Sequence, residues 1–447
     1  MKFEDTLARW LPGQRWYSGT AAIRDLAITS QTTLAAGDPE LRHLIVTVSA
    51  GGSPVCYQVV AGLRSEVPET LRRVVIGPAD AGRTAYDALH DPALAGLLLR
   101  GMAEKQAVGP LRFASEPGAG IDPALPSRVL SAEQSNTSLV FGDSAILKVL
   151  RRPFPGQHPD LEVNRALAKR GSPHVAEPLG WVETTAGGEP VLLAILSRFL
   201  RHARDGWSLA LASVDALSDF SAEAFALGQA TAQVHADLAA AFGTAQLGPG
   251  ASAELASQMT ARLDAALDEV PELAQYADLV RALFAELAQQ RLPLRVQRVH
   301  GDYHLGQVLR TGPVNPGGPG PALSPQANWV ILDFEGEPSA PLAQRRAHGV
   351  PLRDVAGMLR SFDYAARHRL LDRPDAGKVS GRAHEWVRRS QAAFCDGYAA
   401  AGGDDPAASG VLLRALMLDK AVYEVVYEAR HRRSWISIPL GAIGELS

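Results

Sequence analysis

The sequence predicts an α+β chain. A small mixed domain comes first, then a β-rich lobe, then a mainly helical lobe holding one β island. Three observations carry this. The first hundred residues alternate in apolar and polar character. Residues 127–198 hold short apolar runs broken by turn residues. From about residue 205, Ala and Leu recur at helical spacing. The 447 residues are too many for one ordinary core, so domains are expected at 1–110, 111–204 and 205–447.

Each element follows in order. HLIVTVSAGGSPVCYQVVAGL (43–63) alternates around a turn at Gly51–Gly52 and reads as a β-hairpin. TAYDALHDPALAGLLLRGMAEK (84–105) has helical spacing. The connector EPGAGIDPALP (116–126) leads into a β-meander, SRVLSAEQSNTSLVFGDSAILKVLRR (127–152), with turns at SNTS and Gly142–Asp143. DLEVNRALAKR (160–170) is helical. HVAEPLGWVE and EPVLLAILSRFL are two strands joined at AGG (186–188). Amphipathic helices follow, interrupted by VQRVHGDYHLGQVLR and NWVILDFEGEP, two β halves around a Pro/Gly-rich loop (311–328) expected to be mobile.

Composition narrows the function. Apolar residues make 46% and charged residues 21%, as in soluble globular proteins. A formal charge of −4 argues against a nucleic-acid binder. No apolar run reaches a membrane span, and MKFEDTLARW lacks a secretory layout. Cys56 and Cys395 are too few and too far apart for a disulfide framework or zinc knuckle, so a reducing cytoplasm is expected.

The order of β-meander, helix, two strands and helical lobe is that of a bilobal protein-kinase-like phosphotransferase with nucleotide between its lobes. Phosphoryl transfer from ATP needs a group facing the acceptor hydroxyl, oxygen ligands for Mg2+, and a lysine on phosphate aimed by a carboxylate. In VHGDYHLGQVLR (299–310), Asp302 is the candidate base. Gln307, five residues on, sits at the offset of a metal-binding amide. Asp333, at the end of the apolar strand WVIL, is the candidate second metal ligand. Lys148 ends the strand AILK, and Glu162 follows in the next helix as its ion-pair partner. The turn Ser135-Asn136-Thr137-Ser138 is the candidate phosphate cap, without the glycines of a Gly-rich loop. His300 and His304 have the spacing of two zinc ligands on a helix, but Gly301-Asp302 between them argues against a helix. His300 reads as a loop histidine whose ring bonds a backbone carbonyl and fixes the Asp302 turn.

VHGDYHLGQVLR, WVILDFEGEP and PLRDVAGMLRSFDYAA (351–366) resemble the actinobacterial maltokinases of the aminoglycoside-phosphotransferase superfamily. The likeness extends to LPGQRWYSG, AEQSNTSLVFGDSAILKVLRR, HPDLEVNRAL, AFCDGYAAA and LDKAVYEVVYEARHRRSWISIPLGAI. It implies a kinase-like fold with an N-terminal cap domain, ATP and Mg2+, and a free sugar as acceptor. Asp302, Gln307, Asp333, Lys148 and Glu162 match its functional positions. Two departures bear on the acceptor. Ser18-Gly19-Thr20-Ala21 stands where maltokinases tend to carry a basic residue. Two prolines are absent from His431–Leu440, beside Trp435. A related branch resembles glucosamine kinases.

The helix LDKAVYEVVYEARHR places Tyr423 with Tyr427, and Glu424 with Glu428, one turn apart. With Trp435 they form a candidate sugar site, made acidic by Asp302, Glu335 and Glu337, which would favour an ammonium group. The alternatives are a salt-bridge network with Arg345, Arg346, Arg353 and Arg360, and core packing for Trp435. Lys420 and Glu424 are spaced to pair along the helix, and Lys420 is assigned no chemistry. The expected activity is phosphorylation of glucosamine to glucosamine 6-phosphate. Maltose 1-phosphorylation, an aminoglycoside phosphotransferase and a nucleotide-binding pseudokinase are the alternatives. No nucleic-acid or membrane partner is expected, and the sequence leaves oligomeric state open.

Overall fold

The computed structural model describes residues 2–19, 22–51, 53–130, 135–312, 328–337, 340–371, 373 and 375–446. Thr20, Ala21, Gly52 and residues 313–327 of the long loop lie outside the described residues. The chain divides into two compact units. One comprises Met1–Glu162 and Ala176–Arg201, the other Val163–Val175 and His202–Ser447.

The first unit opens with helix α1 (Phe3–Trp10) and five strands: β1 (Asp25–Ala35), β2 (Glu40–Ser49), β3 (Val55–Arg64), β4 (Val75–Pro78) and β5 (Thr84–Asp87). They form an antiparallel sheet in the order β1-β2-β3-β5-β4. The expected hairpin is present, with Val48 opposite Val55. Alternation turns Leu44, Val46 and Val48 onto Leu7 of α1 and Leu11 just after it. Helix α2 (Pro92–Ala103) starts later than its spacing suggested, because residues 84–87 pair as β5. Its start has a local cause: the Asp91 carboxylate accepts from the Ala93 amide and Pro92 occupies the first turn.

A second sheet follows, built from β6 (Ala107–Val108), β7 (Leu111–Ser115), β8 (Ser127–Val129), β9 (Thr137–Phe141) and β10 (Ala145–Val149), then β11 (Pro178–Ala186) and β12 (Glu189–Arg198) after helix α3 (Pro159–Lys169). Its order is β6-β7-β11-β12-β10-β9-β8. One apolar interior runs from Tyr86, Leu94 and Leu98 to Phe113, Leu147 and Leu193, so the residues on either side of position 110 share a core. Polar stitches reinforce it. The Gln58 side-chain amide donates to the carbonyls of Leu150 and Leu193 at 2.7 and 3.0 Å. Arg151 donates to Asp87 at 2.6 Å while its guanidinium lies over the Trp16 ring.

The second unit is mainly helical: α4 (Gly206–Ala216), α5 (Ser221–Phe242), α6 (Ala251–Glu269), α7 (Ala277–Gln290), α8 (Leu342–Arg345), α9 (Leu352–Leu371), α10 (Ala376–Ala400), α11 (Gly410–His431) and α12 (Ser437–Leu446). Leu227, Val234 and Leu238 of α5, Val355, Leu359 and Phe362 of α9, Phe394 of α10 and Val422 of α11 belong to one buried core. The β island is real. Strand β13 (Arg204–Asp205) pairs with β16 (Val308–Arg310), and β16 with β17 (Trp329–Ile331). Strand β14 (Thr244–Leu247) pairs with β15 (Leu294–Gln297). The loop 298–307, between β15 and β16, carries the His-Gly-Asp segment.

Candidate functional site

The loop is held by its backbone. The buried Asp354 carboxylate, in the first turn of α9, accepts from the amides of His300 (2.7 Å) and Gly301 (2.9 Å). It also accepts from His235 Nε2 at 3.0 Å, and His235 Nδ1 meets the Tyr398 hydroxyl at 2.8 Å. Burial alone would raise the Asp354 carboxyl, but the bond from His235 and the Gly301 amide hold it below the ordinary carboxylate range. The His300 ring donates from Nε2 to the Leu332 carbonyl at 2.7 Å and accepts the Asp302 amide at Nδ1, 3.3 Å away. His300 is thus the loop histidine the sequence suggested and His235 a satisfied core histidine. Gly301 has φ +86°, which a Cβ would strain. At Gly357 a Cβ would stand 2.5 Å from the Tyr303 carbonyl, so only glycine lets α9 approach the loop.

Gln307 and Asp333 leave the β16–β17 hairpin side by side, because the Leu332 amide donates to the Gln307 carbonyl at 2.9 Å. Asp333, two residues past the end of β17, has φ +58°, a left-handed conformation that costs a non-glycine residue about 1 kcal/mol. An amide oxygen and a carboxylate on adjoining backbone form a hard donor set suited to Mg2+.

Asp302 opens into a cavity of about 810 Å³ in the second unit. Its carboxylate accepts from Lys420 Nζ of α11 at Oδ1, 3.0 Å away, and His304 Nε2 stands 4.0 Å from Oδ2. Burial by itself would raise the Asp302 carboxyl; the Lys420 charge outweighs it, with a smaller contribution from His304, and the group sits at about 2. Burial pushes the His304 imidazole below its ordinary value, against the pull of Asp302.

The α11 wall brings Tyr423, Glu424, Tyr427 and Glu428 to this cavity, with Trp435 beyond the helix end. The two tyrosine rings are 6.4 Å apart, and Trp435 lies 4.4 Å from the His368 ring, so it is both lining and packed. Glu335 is not among the lining residues, whereas Glu337 is. The acids are largely matched. Arg360 donates to Glu424 at 2.7 Å, as one of the four arginines considered. Glu428 is held by the Tyr364 hydroxyl (2.6 Å) and by both donors of Arg432 (3.0 and 2.7 Å). Arg430 covers Glu269. The expectation of a plainly acidic pocket is therefore corrected. Lys420, Arg262, Arg430 and Arg432 face the same space as the carboxylates.

In the first unit Lys148 lies in β10 between Ser138 and Ile195, its Nζ 3.7 Å from Asp160 at the start of α3. Glu162 stands two residues further along that helix. The phosphate-cap expectation is corrected at two positions. Thr137 and Ser138 are buried at the start of β9, not in a turn. The Thr137 hydroxyl accepts from Arg151 at 2.8 Å, and Ser138 pairs opposite Lys148. Ser135 and Asn136 remain outside the strand, with Asn136 Nδ2 donating to Ser135 Oγ at 3.4 Å.

Residues 10–91 match the maltokinase N-terminal cap domain family and residues 127–319 the phosphotransferase enzyme family. A glucosamine kinase of Streptacidiphilus jiangxiensis is 30% identical over 399 residues, 82% of this chain and 86% of the relative. The chain belongs to the glucosamine kinase family. A second glucosamine kinase, from Mycolicibacterium smegmatis, is 30% identical over 346 residues, 71% of this chain and 79% of the relative. A solved glucosamine kinase in complex with glucosamine, ADP and inorganic phosphate matches at TM-score 0.67 and 24% identity, over 100% of this chain and 99% of that one. Another crystal form matches at TM-score 0.70, over 100% and 99% of the two chains. These likenesses establish the phosphotransferase fold with its N-terminal cap domain.

Within this family member, the residues sequence reasoning missed are Lys420, Asp354, Arg432 and Asp160. Lys420 had a readable signal. It shares a helix face with Tyr423, Glu424, Tyr427 and Glu428, at spacings of three, four, seven and eight.

Proposed function

We propose that this chain transfers the γ-phosphoryl group of ATP to the 6-hydroxyl of glucosamine. The observation that carries the reading is Asp302 at one end of the cavity whose wall is Tyr423, Glu424, Tyr427, Glu428 and Trp435. Membership of the glucosamine kinase family supports the amino sugar.

Asp302 orients the acceptor hydroxyl and takes its proton. Its low basicity suits a loose phosphoryl-transfer transition state, in which alignment matters more than early deprotonation. Lys420 holds Oδ1, so Oδ2 is the oxygen turned to the acceptor. The aromatic rings pack against sugar C–H groups, while Glu424 and Glu428 accept from hydroxyls or ammonium. Lys148, beside Asp160 and on the strand preceding Glu162, binds phosphate oxygens. Gln307 and Asp333 would hold Mg2+, which neutralises phosphate charge when bound. The enzyme is proposed to work in the cytoplasm.

The test incubates the purified chain with ATP, Mg2+ and glucosamine, glucose or maltose in turn. Proton-coupled phosphorus NMR then locates the phosphate. Glucosamine 6-phosphate should dominate. Turnover of maltose with glucosamine untouched would overturn the reading.

A further inference from the structure

An amino sugar brings an ammonium group into a cavity that holds the catalytic carboxylate. Left unmatched, that carboxylate would attract the ammonium more strongly than any hydroxyl. The base would then be occupied by the wrong end of the substrate. The arrangement around Asp302 addresses this hazard.

Lys420 Nζ sits 3.0 Å from Asp302 Oδ1. It is held from a second side by the Tyr423 ring, whose centroid is 4.7 Å away. Asp302 Oδ2 accepts no hydrogen bond among the described residues, His304 Nε2 standing 4.0 Å off. One turn along α11, roughly 6 Å by helical rise, stands Glu424. Arg360 occupies its Oε2, and its Oε1 accepts no hydrogen bond among the described residues. Among the described residues, Asp302 Oδ2 and Glu424 Oε1 thus accept no hydrogen bond, and Lys420 is the cation beside Asp302.

We infer that Lys420 is a positioning residue that keeps the acceptor's ammonium off Asp302 and so sets which end of an amino sugar reaches the base. The inference rests on the amino-sugar reading above. With Lys420 in place the ammonium is repelled from Asp302. In a 2-amino pyranose, the hydroxyls at carbons 1 and 3 adjoin the amine and the hydroxymethyl group lies across the ring. Keeping the amine off Asp302 leaves Oδ2 to a hydroxyl, and the hydroxymethyl oxygen is the one across the ring from the amine. Tyr423 and Asp302 keep the Lys420 ammonium from swinging aside.

The test compares Lys420→Met, Lys420→Gln and Lys420→Arg with the parent chain. Calorimetric titration with glucosamine and with glucose, its neutral counterpart, reads binding, and steady-state kinetics with ATP reads turnover. Thermal unfolding first establishes that each variant is folded, and the Gln variant serves if the Met variant is not. In the neutral variants glucosamine should bind about tenfold more tightly while glucose binding is unchanged, because a like charge has been removed. Their kcat with glucosamine should fall about hundredfold, through misplacement of the acceptor, without a rise in KM. Arg should restore both values toward the parent.

Equal losses of affinity for both sugars in Met and Gln variants would overturn the inference and leave Lys420 a structural ion-pair partner. The two readings fail separately. If the parent phosphorylates maltose and not glucosamine, the amino-sugar function is wrong. Lys420 is then judged by whether glucosamine becomes a competitive, unreactive inhibitor of the neutral variants only. No such inhibition would sink it as well.

Discussion

The loop 298–307 carries Asp302 and the α11 wall faces it, yet the two are held in different ways. The loop is fixed through its backbone, by amides of His300 and Gly301 on Asp354 and by the His300 ring on Leu332. The wall is fixed through side chains, by Arg360 on Glu424, Arg432 on Glu428 and Lys420 on Asp302. Backbone anchoring makes position insensitive to the reacting side chain. Side-chain anchoring makes selectivity depend on which charges are matched.

The difference can be broken at its centre. Asp302→Asn keeps the loop's backbone bonds and removes the proposed base, so kcat should fall about 10³-fold, while loss of the charge beside Lys420 lowers the unfolding midpoint without unfolding the loop. Steady-state kinetics beside thermal unfolding checks both halves. A lost fold would mean that the side chain, and not the backbone, holds the loop. Asp354→Ala should do the reverse. It strands the His300 and Gly301 amides and His235, and should cost about 3–5 kcal/mol of stability, read by urea unfolding.

Smaller effects sharpen the comparison. Thr137→Ala removes a buried hydroxyl bonded to Arg151, so it should cost about 1 kcal/mol and leave the KM for ATP unchanged. A large rise in that KM would restore Thr137 to the phosphate site. The smallest expected effect concerns pH. The folded Asp302 carboxyl lies at about 2, below an unfolded value of about 3.9, so its stabilising contribution is complete above pH 4 and is lost as pH falls through 2. The stability gap between the parent and Asp302→Asn should therefore stay constant from pH 5 to 8 in calorimetry.

How much was legible follows from the same contrast. Asp302, Gln307 and His300 lie within eight residues, so spacing alone revealed their loop. Helical periodicity revealed the elements carrying the wall. The pairing of Lys420 with Asp302 joins positions 118 apart, which no local pattern encodes. Glu424 and Glu428 announced a need for cations, but only folding chose Arg360 and Arg432 as the cations. SNTS read as a turn from its small polar residues, and strand pairing overrode that preference at Thr137 and Ser138.

Gln58 reaches from the N-terminal sheet to two carbonyls of the sheet that carries Lys148, inside a shared apolar interior. The opening hundred residues are therefore no detachable module. A chain begun at residue 111 would strip Leu147 and Leu193 of their packing against Leu94 and Leu98, and the carbonyls of Leu150 and Arg151 of their bonds from Gln58.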